Sequence, residues 1–345
     1  MEDAGADRLT LTERDQPFPM DKARLLATHS LMKVWACEDG GWLYEDVNGR
    51  AALLEAADGR SAACWLADPA QRETVLAPLM QALLECRLIH RGYGVLHCAC
   101  VVKDGKAVAF SGPSGTGKST RARQWAETLG AQWLSGDRPF IDPGQGVAYG
   151  APWDGKEQIF RNAAYPLAAI FEVRRADKTA LREMTFRQKR SFLANQLLIP
   201  LWDPRLGASA LAAMNRMIAR IPMYRLYCDQ SSSAAQEAYE ILFHRQGEIQ
   251  PPREEKMMRA KQGFTIVEMA GDYMAMPTGS NMATFGGTVA LNKVSAFLLQ
   301  AMQTDISRED LLERMLNQYE VDRETTERDL EEILATFRKL GLIED

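Results

Sequence analysis

Residues 112–119 read Gly112-Pro-Ser-Gly-Thr-Gly-Lys-Ser119, with the spacing G-x-x-x-x-G-K-[ST]. Glycines at these places let the backbone curl so that successive N–H groups face an anion, which is how a phosphate-binding loop works. In such a loop Lys118 reaches the outer phosphates, and Ser119 offers its hydroxyl to Mg²⁺. A helix starting at once aims its positive end at the same anion. The flanks supply the required order. Ala107-Val-Ala-Phe-Ser111 is a short apolar run suited to a buried strand, and residues 120–129 contain neither Gly nor Pro before Gly130. The expected phosphate cradle is Gly112, Ser114, Gly115, Thr116, Gly117, Lys118, Ser119 and Thr120. Upstream, Val101-Val102 is separated from the loop strand by Lys103-Asp-Gly-Lys106, and Asp-Gly is a strong hairpin signal. An antiparallel hairpin feeding straight into the loop departs from the repeated βαβ pattern of most P-loop proteins.

Bulk properties bound the rest. The chain has 345 residues, 25% of them charged and 46% hydrophobic, with a formal net charge of −5. That describes a globular chain of two or three domains with no general pull on nucleic acid or anionic membrane. The acidic start, MEDAGADRLT, is not a signal peptide, and no apolar run approaches the ~18 residues that span a bilayer, so a cytoplasmic location is expected. Cysteines at 37, 64, 86, 98, 100 and 228 lack Cys-x-x-Cys spacing and are expected to be reduced core residues. In a strand, Cys98 and Cys100 share one side and His97 takes the other, which argues against a metal cluster of the three.

Residues 1–91 alternate short apolar stretches with turns and carry a helical pattern over 71–90, so a small α/β lobe is expected. A P-loop domain follows over 92–244. Residues 245–262, with adjacent prolines and no apolar periodicity, read as a linker. From 263 to 345 the pattern is three strands (264–268, 272–276, about 288–291) and then three helices (about 293–302, 307–318, 323–340). Three strands and three helices make a small winged-helix pattern. The helix over 307–318 sets Arg308 and Arg314 against Glu309, Asp310 and Glu313, so it offers no basic face to DNA.

Two segments resemble known families. Residues 92–228 resemble the HPr kinase/phosphorylase superfamily, and in particular HPr-kinase-related members, through Val95-Leu-His97, GPSGTGKS, Leu134-Ser-Gly-Asp-Arg-Pro139 and Ile221-Pro-Met-Tyr-Arg-Leu226. Residues 263–345 resemble PqqD-like peptide-recognition domains through Leu291-Asn-Lys-Val-Ser-Ala-Phe-Leu-Leu299, Tyr319-Glu-Val-Asp322, Asp329-Leu330 and Leu340-Gly-Leu-Ile343. The resemblance implies an α/β HPr-kinase-like fold joined to a winged-helix domain, ATP or another nucleoside triphosphate with Mg²⁺, and a homo-oligomer as an option. The chain departs from the kinase pattern in having Gly136-Asp137 where paired aspartates are usual, and it lacks the signature of the reverse, phosphorolytic reaction.

The resemblance assigns Asp137 as catalytic base and metal ligand beside Ser119, and His97 as the superfamily's histidine near the phosphates. Arg138 is expected to pair with a carboxylate or with phosphate. Pro152-Trp-Asp-Gly-Lys156 combines turn formers with an aromatic, an acid and a base, so Trp153 and Lys156 are candidates for substrate contact. Asp142 and Asp154 are second-rank metal candidates. In the C-terminal domain, Thr288, Val289, Ala290 and Leu291 form the edge to which an extended leader peptide would add as a further strand. Together these imply a kinase for a Ser or Thr hydroxyl of a ribosomally made precursor peptide. Two rivals stand beside it: a kinase for a small molecule or an HPr-like carrier protein, and a nucleotide-gated peptide-binding adaptor without transferase activity.

Overall fold

A computed structural model describes residues 9–57, 61–113, 115–153, 159, 161–229, 231–269, 271–279, 287–319 and 321–344. Contacts divide the chain into two compact units. The first runs to Ile249 apart from residues 114–116 and 174–177, which cluster with the second, from Gln250 onward.

The first unit holds two sheets. Six N-terminal strands follow the order Thr10–Arg14, Ser61–Leu66, Ala51–Glu55, Trp42–Asp46, Met32–Ala36, Arg24–Thr28, with the first pair parallel. The helix Arg72–His90 buries Val75, Leu76, Leu79 and Leu83 against Val34, Tyr44, Leu53 and Cys64 of that sheet, as the helical spacing of its apolar residues requires.

The second sheet has nine strands. Its centre is the loop strand Lys106–Ser111, antiparallel to Cys98–Lys103 on one side and parallel to Ala164–Arg175 on the other. The hairpin joining the first two turns at Asp104 (φ 49°) and Gly105 (φ 73°), and a two-residue hairpin turn with both central φ positive is what Asp-Gly favours. The sequence expectation of an antiparallel hairpin running into the loop is met. Cys98 and Cys100 pack with Val102, Ala107 and Ala109 on one face, and Ala99, Val101, Val108 and Phe110 pack on the other. This alternation leaves His97 outside the cysteine-lined core, and all six cysteines are free thiols.

In the second unit the strands Phe264–Met269, Asp272–Pro277 and Val289–Leu291 form an antiparallel meander, followed by helices Lys293–Ala301, Arg308–Gln318 and Arg323–Lys339. Each helix opens on the side chain that its sequence supplies: Asn292, Ser307 and Asp322 accept backbone N–H groups of the first turn. One strand lies inside the stretch read as linker. Met257–Ala260 pairs with Ile306–Ser307 and Ile343–Glu344 and buries Met258 and Ala260. Its partners lie some fifty and eighty residues away, so no local periodicity betrays it.

Arg323, at the start of the last helix, meets Glu309 at 3.0 Å, Glu313 at 3.3 Å and Glu327 at 2.9 Å. Burial pushes the Glu313 carboxyl up, against the pull of Arg174 and Arg323. A raised carboxyl favours folding while it is protonated and loses that contribution as pH rises through its folded value. Arg323→Met removes one of the two cations that compensate Glu313, so it should lower the C-terminal transition of the full chain by about 2 kcal/mol at neutral pH, below the range of fully enclosed pairs. The deficit should shrink in acid, where Glu313 is neutral. Urea unfolding at two pH values checks this, and an equal deficit at both would contradict it.

Candidate functional site

The site is built on register. Cys98 pairs with Ser111, which places His97 beside the exit of the loop strand. The His97 backbone is tied on both sides: its N–H donates to Gln196 O at 2.9 Å, and its carbonyl accepts from Ser111 Oγ at 2.7 Å. The imidazole is 46% exposed and stands with Nε2 3.9 Å from Asp137 Oδ1. Burial, Lys118 and Arg138 push the imidazole pKa down, while Asp137 pulls it up. The net direction is downward, which works against an ion pair with Asp137.

After the loop strand, Gly112 takes φ 146° and Gly117 φ 94°, a conformation that a side chain resists. Gly117 is the N-cap of the helix Lys118–Leu129, and Gly130 (φ 66°) closes it, as expected from sequence. Lys118 Nζ donates to the carbonyls of Gly112 (2.9 Å) and Pro113 (3.0 Å). Its ammonium thus lies back along the loop, and burial lowers its pKa, opposed by Cys98 and Asp137. Ser119 and Thr120 occupy the first turn of the same helix. Gly115 has φ 85°, and Thr116 is buried. Ser114 lies outside the described residues.

Asp137 follows the strand Gln132–Ser135, next to Cys98–Lys103 in the sheet. Ser135 Oγ donates to the Asp137 carbonyl at 2.7 Å and fixes its backbone. Asp137 Oδ1 is buried, and among the described residues it accepts no hydrogen bond. A buried carboxylate oxygen without a donor is costly, and a catalytic role or a bound ion is among the explanations for it. Arg138 is one of two non-glycine residues with positive φ (45°) among those described. Its guanidinium reaches Glu85 at 3.2 Å and Asp137 at 4.0 Å.

Mg²⁺ keeps several waters and takes one or two protein oxygens beside phosphate oxygens, so a dedicated cage is not needed. Among the described residues no group of three His, Cys, Asp or Glu side chains forms one. The orphaned Asp137 oxygen and the Ser119 hydroxyl fit the lighter requirement.

Other expectations fare differently. Asp142 ends the strand Phe140–Asp142, and its Oδ1 accepts the N–H groups of Gly144 (2.7 Å) and Gln145 (3.2 Å), the bonding of a turn former. Trp153 packs edge-on against Phe140 with centroids 5.0 Å apart, and its indole N–H is buried without a partner among the described residues. It serves the core at least as much as any ligand. Asp154 and Lys156 lie outside the described residues. Sequence reasoning missed Glu85, whose signal was available: a carboxylate one residue before Cys86 on the apolar face of the helix over 71–90.

In the second unit, Val289–Leu291 pairs along one edge with Asp272–Pro277, through Tyr273↔Leu291, Met274↔Ala290 and Ala275↔Val289. Among the described residues no strand covers its other edge. Thr288 and Ala290 are exposed, Val289 is half-buried and Leu291 is buried. Val289 and Ile333 of the last helix both pack against the unit's core.

Residues 273–343 match the family model described as coenzyme PQQ synthesis protein D (PqqD), so the C-terminal segment is PqqD-like. No curated protein matches the chain. Among solved structures, "TbiB1 in Complex with the TbiA(beta) Leader Peptide" is 19% identical, covering 25% of this chain and 94% of that one, with a TM-score of 0.22. No described helix is long and apolar enough to cross a membrane.

Proposed function

We propose that the chain is an ATP- and Mg²⁺-dependent kinase for a Ser or Thr hydroxyl of a ribosomally made precursor peptide, whose leader the PqqD-like segment binds. The observation that carries the kinase half is Asp137 Oδ1, buried, without a donor, 3.9 Å from His97, with Lys118 acting electrostatically on both. Phosphoryl transfer asks the protein to hold phosphates, neutralise charge and orient a hydroxyl, and this set of groups suits that work.

Bound nucleotide supplies the phosphoryl group, and the metal supplies charge neutralisation. Lys118 then exchanges its loop carbonyls for phosphate oxygens, while the loop's N–H groups and the first turn of its helix face the same anion. Ser119 and Asp137 are the residues that would hold the metal. Asp137 takes the hydroxyl proton as the new P–O bond forms and the bond to the leaving diphosphate breaks. His97, as neutral imidazole, orients the acceptor and adds no positive charge of its own.

For the peptide half, the support is the family match together with an edge strand whose outer side no described strand covers. An extended peptide adding to Val289–Leu291 would satisfy those backbone groups, and side chains between the strand and the last helix would select its sequence.

The test incubates the full chain with γ-labelled ATP, Mg²⁺ and pools of short peptides, read by mass spectrometry. The expected result is one phosphate on one peptide, lost in Lys118→Ala and in a chain ending at 249. Label confined to small molecules, to a folded carrier or to free phosphate would overturn the peptide-kinase reading.

A further inference from the structure

Glu85 belongs to the helix Arg72–His90, whose other buried residues are Val75, Leu76, Leu79, Leu83, Cys86 and Ile89. A carboxylate among them is an expensive choice unless something is gained. Its side chain is 4% exposed, accepts from Gln81 Nε2 at 2.9 Å, and receives Arg138 at 3.2 Å on Oε1 and 3.5 Å on Oε2. Burial raises its pKa while Arg138 and Gln81 act to lower it. Arg138 in turn sits in the left-handed region, a conformation that is costly for a non-glycine residue and persists where surroundings over-determine it. The other residue of this kind, Asp104, is explained by its hairpin turn. Arg138 has no turn of that kind to account for it, but it adjoins Asp137.

We infer that Glu85 is a positioning residue of the phosphoryl-transfer site: from the N-terminal helix it holds the Arg138 guanidinium, and so keeps Arg138 from closing onto the Asp137 carboxylate 4.0 Å away. The consequence is that the Asp137 carboxylate, whose Oδ2 is the oxygen nearest Arg138 Nε, stays available to acceptor and metal, and that the exposed portion of Arg138 stays ready for phosphate. The N-terminal sheet and helix thereby become part of the chemistry and not only a scaffold. The kinetic part of this inference rests on the proposed kinase reading; the positional part does not.

Two measurements on the full chain separate them. Side-chain ¹⁵N NMR of arginines, with the Arg138 Nη–H signal identified by its loss in Arg138→Ala, reads the contact directly, since Nη1 is the nitrogen that meets Glu85. Glu85→Gln, which keeps the shape and removes the charge, should shift that signal and speed its exchange with water, whereas an unaltered signal overturns the positional claim. Steady-state kinetics of Glu85→Gln, Arg138→Ala and the double variant form a cycle. Glu85→Gln should lower kcat by about 10–100-fold with KM for nucleotide within about threefold, as expected for a misplaced charged group near the reacting atoms. The double variant should be no slower than Arg138→Ala alone, and Glu85→Asp should recover part of the loss. Additive losses would assign Glu85 to folding alone and overturn the inference. Should Glu85→Gln fold poorly, Gln81→Leu, which removes one of the carboxylate's two partners, should displace the same NMR signal in a milder way; no displacement there also overturns it. If the wild-type chain phosphorylates nothing while the Arg138 signal responds as stated, the kinase reading fails and the positional claim stands.

Discussion

Asp137→Asn is expected to bind nucleotide nearly as the wild type does, to need more Mg²⁺ because a charged ligand is lost, and to transfer phosphate about 10²–10⁴-fold more slowly, the range over which a positioned proton acceptor contributes. The substitution is nearly isosteric. The bond from Ser135 Oγ goes to the Asp137 backbone carbonyl, so the loop keeps its shape. What is lost is the proton acceptor at Oδ1, the atom that receives no hydrogen bond among the described residues. His97 is the nearest remaining base, and the residual rate should vanish in the His97→Asn double variant. Lys118→Ala fails differently, because its ammonium, now on the carbonyls of Gly112 and Pro113, is the loop's cation for phosphate, so nucleotide affinity falls first. Rapid-quench single turnovers with a fluorescent nucleotide displacement assay distinguish these two phenotypes. A normal transfer rate in Asp137→Asn would assign the proton to another acceptor and overturn the role given to Asp137.

Removing residues 250–345 should raise KM for a full precursor peptide by about 10²–10⁴-fold and leave a leaderless core peptide unchanged. Binding a leader at one site makes encounter of the core with the other site intramolecular, and the gain is set by effective concentration. Apart from residues 114–116 and 174–177, the cut falls where contacts divide the chain, after Ile249, so the P-loop sheet keeps its own core. A milder companion tests the edge itself: Ala290→Pro removes an N–H and opposes the extended pairing with Met274, and should weaken leader binding while sparing core phosphorylation. Equal losses for full and leaderless peptides would show that the C-terminal segment does not tether substrate.

Much of this was legible in the sequence because it is local. The loop, its strand, the Asp104-Gly105 turn and the helix closed by Gly130 are all specified within about thirty residues of one another. The three strands and three helices of the C-terminal segment likewise carry their own caps, at Asn292, Ser307 and Asp322. What escaped was set by distant partners. Met257–Ala260 becomes a strand only because Ile306 and Ile343 come to it, and the nine-stranded sheet depends on Ala164–Arg175 joining the loop strand in parallel. Glu85 lay in plain view as an acid on an apolar helix face, but its partner Arg138 is 53 residues on and adopts a backbone conformation that no propensity forecasts.

The hairpin that carries the loop has a consequence for how the protein is made. Its two strands, Cys98–Lys103 and Lys106–Ser111, close over a two-residue turn, and such hairpins form in about 1–10 μs. The parallel neighbour, Ala164–Arg175, is still unsynthesised when they emerge, and at about 5–20 residues per second the ribosome delivers it seconds later. During that interval the apolar edge of Lys106–Ser111 stands open. An unpaired apolar edge of this kind is a template for wrong pairing for as long as it stays open.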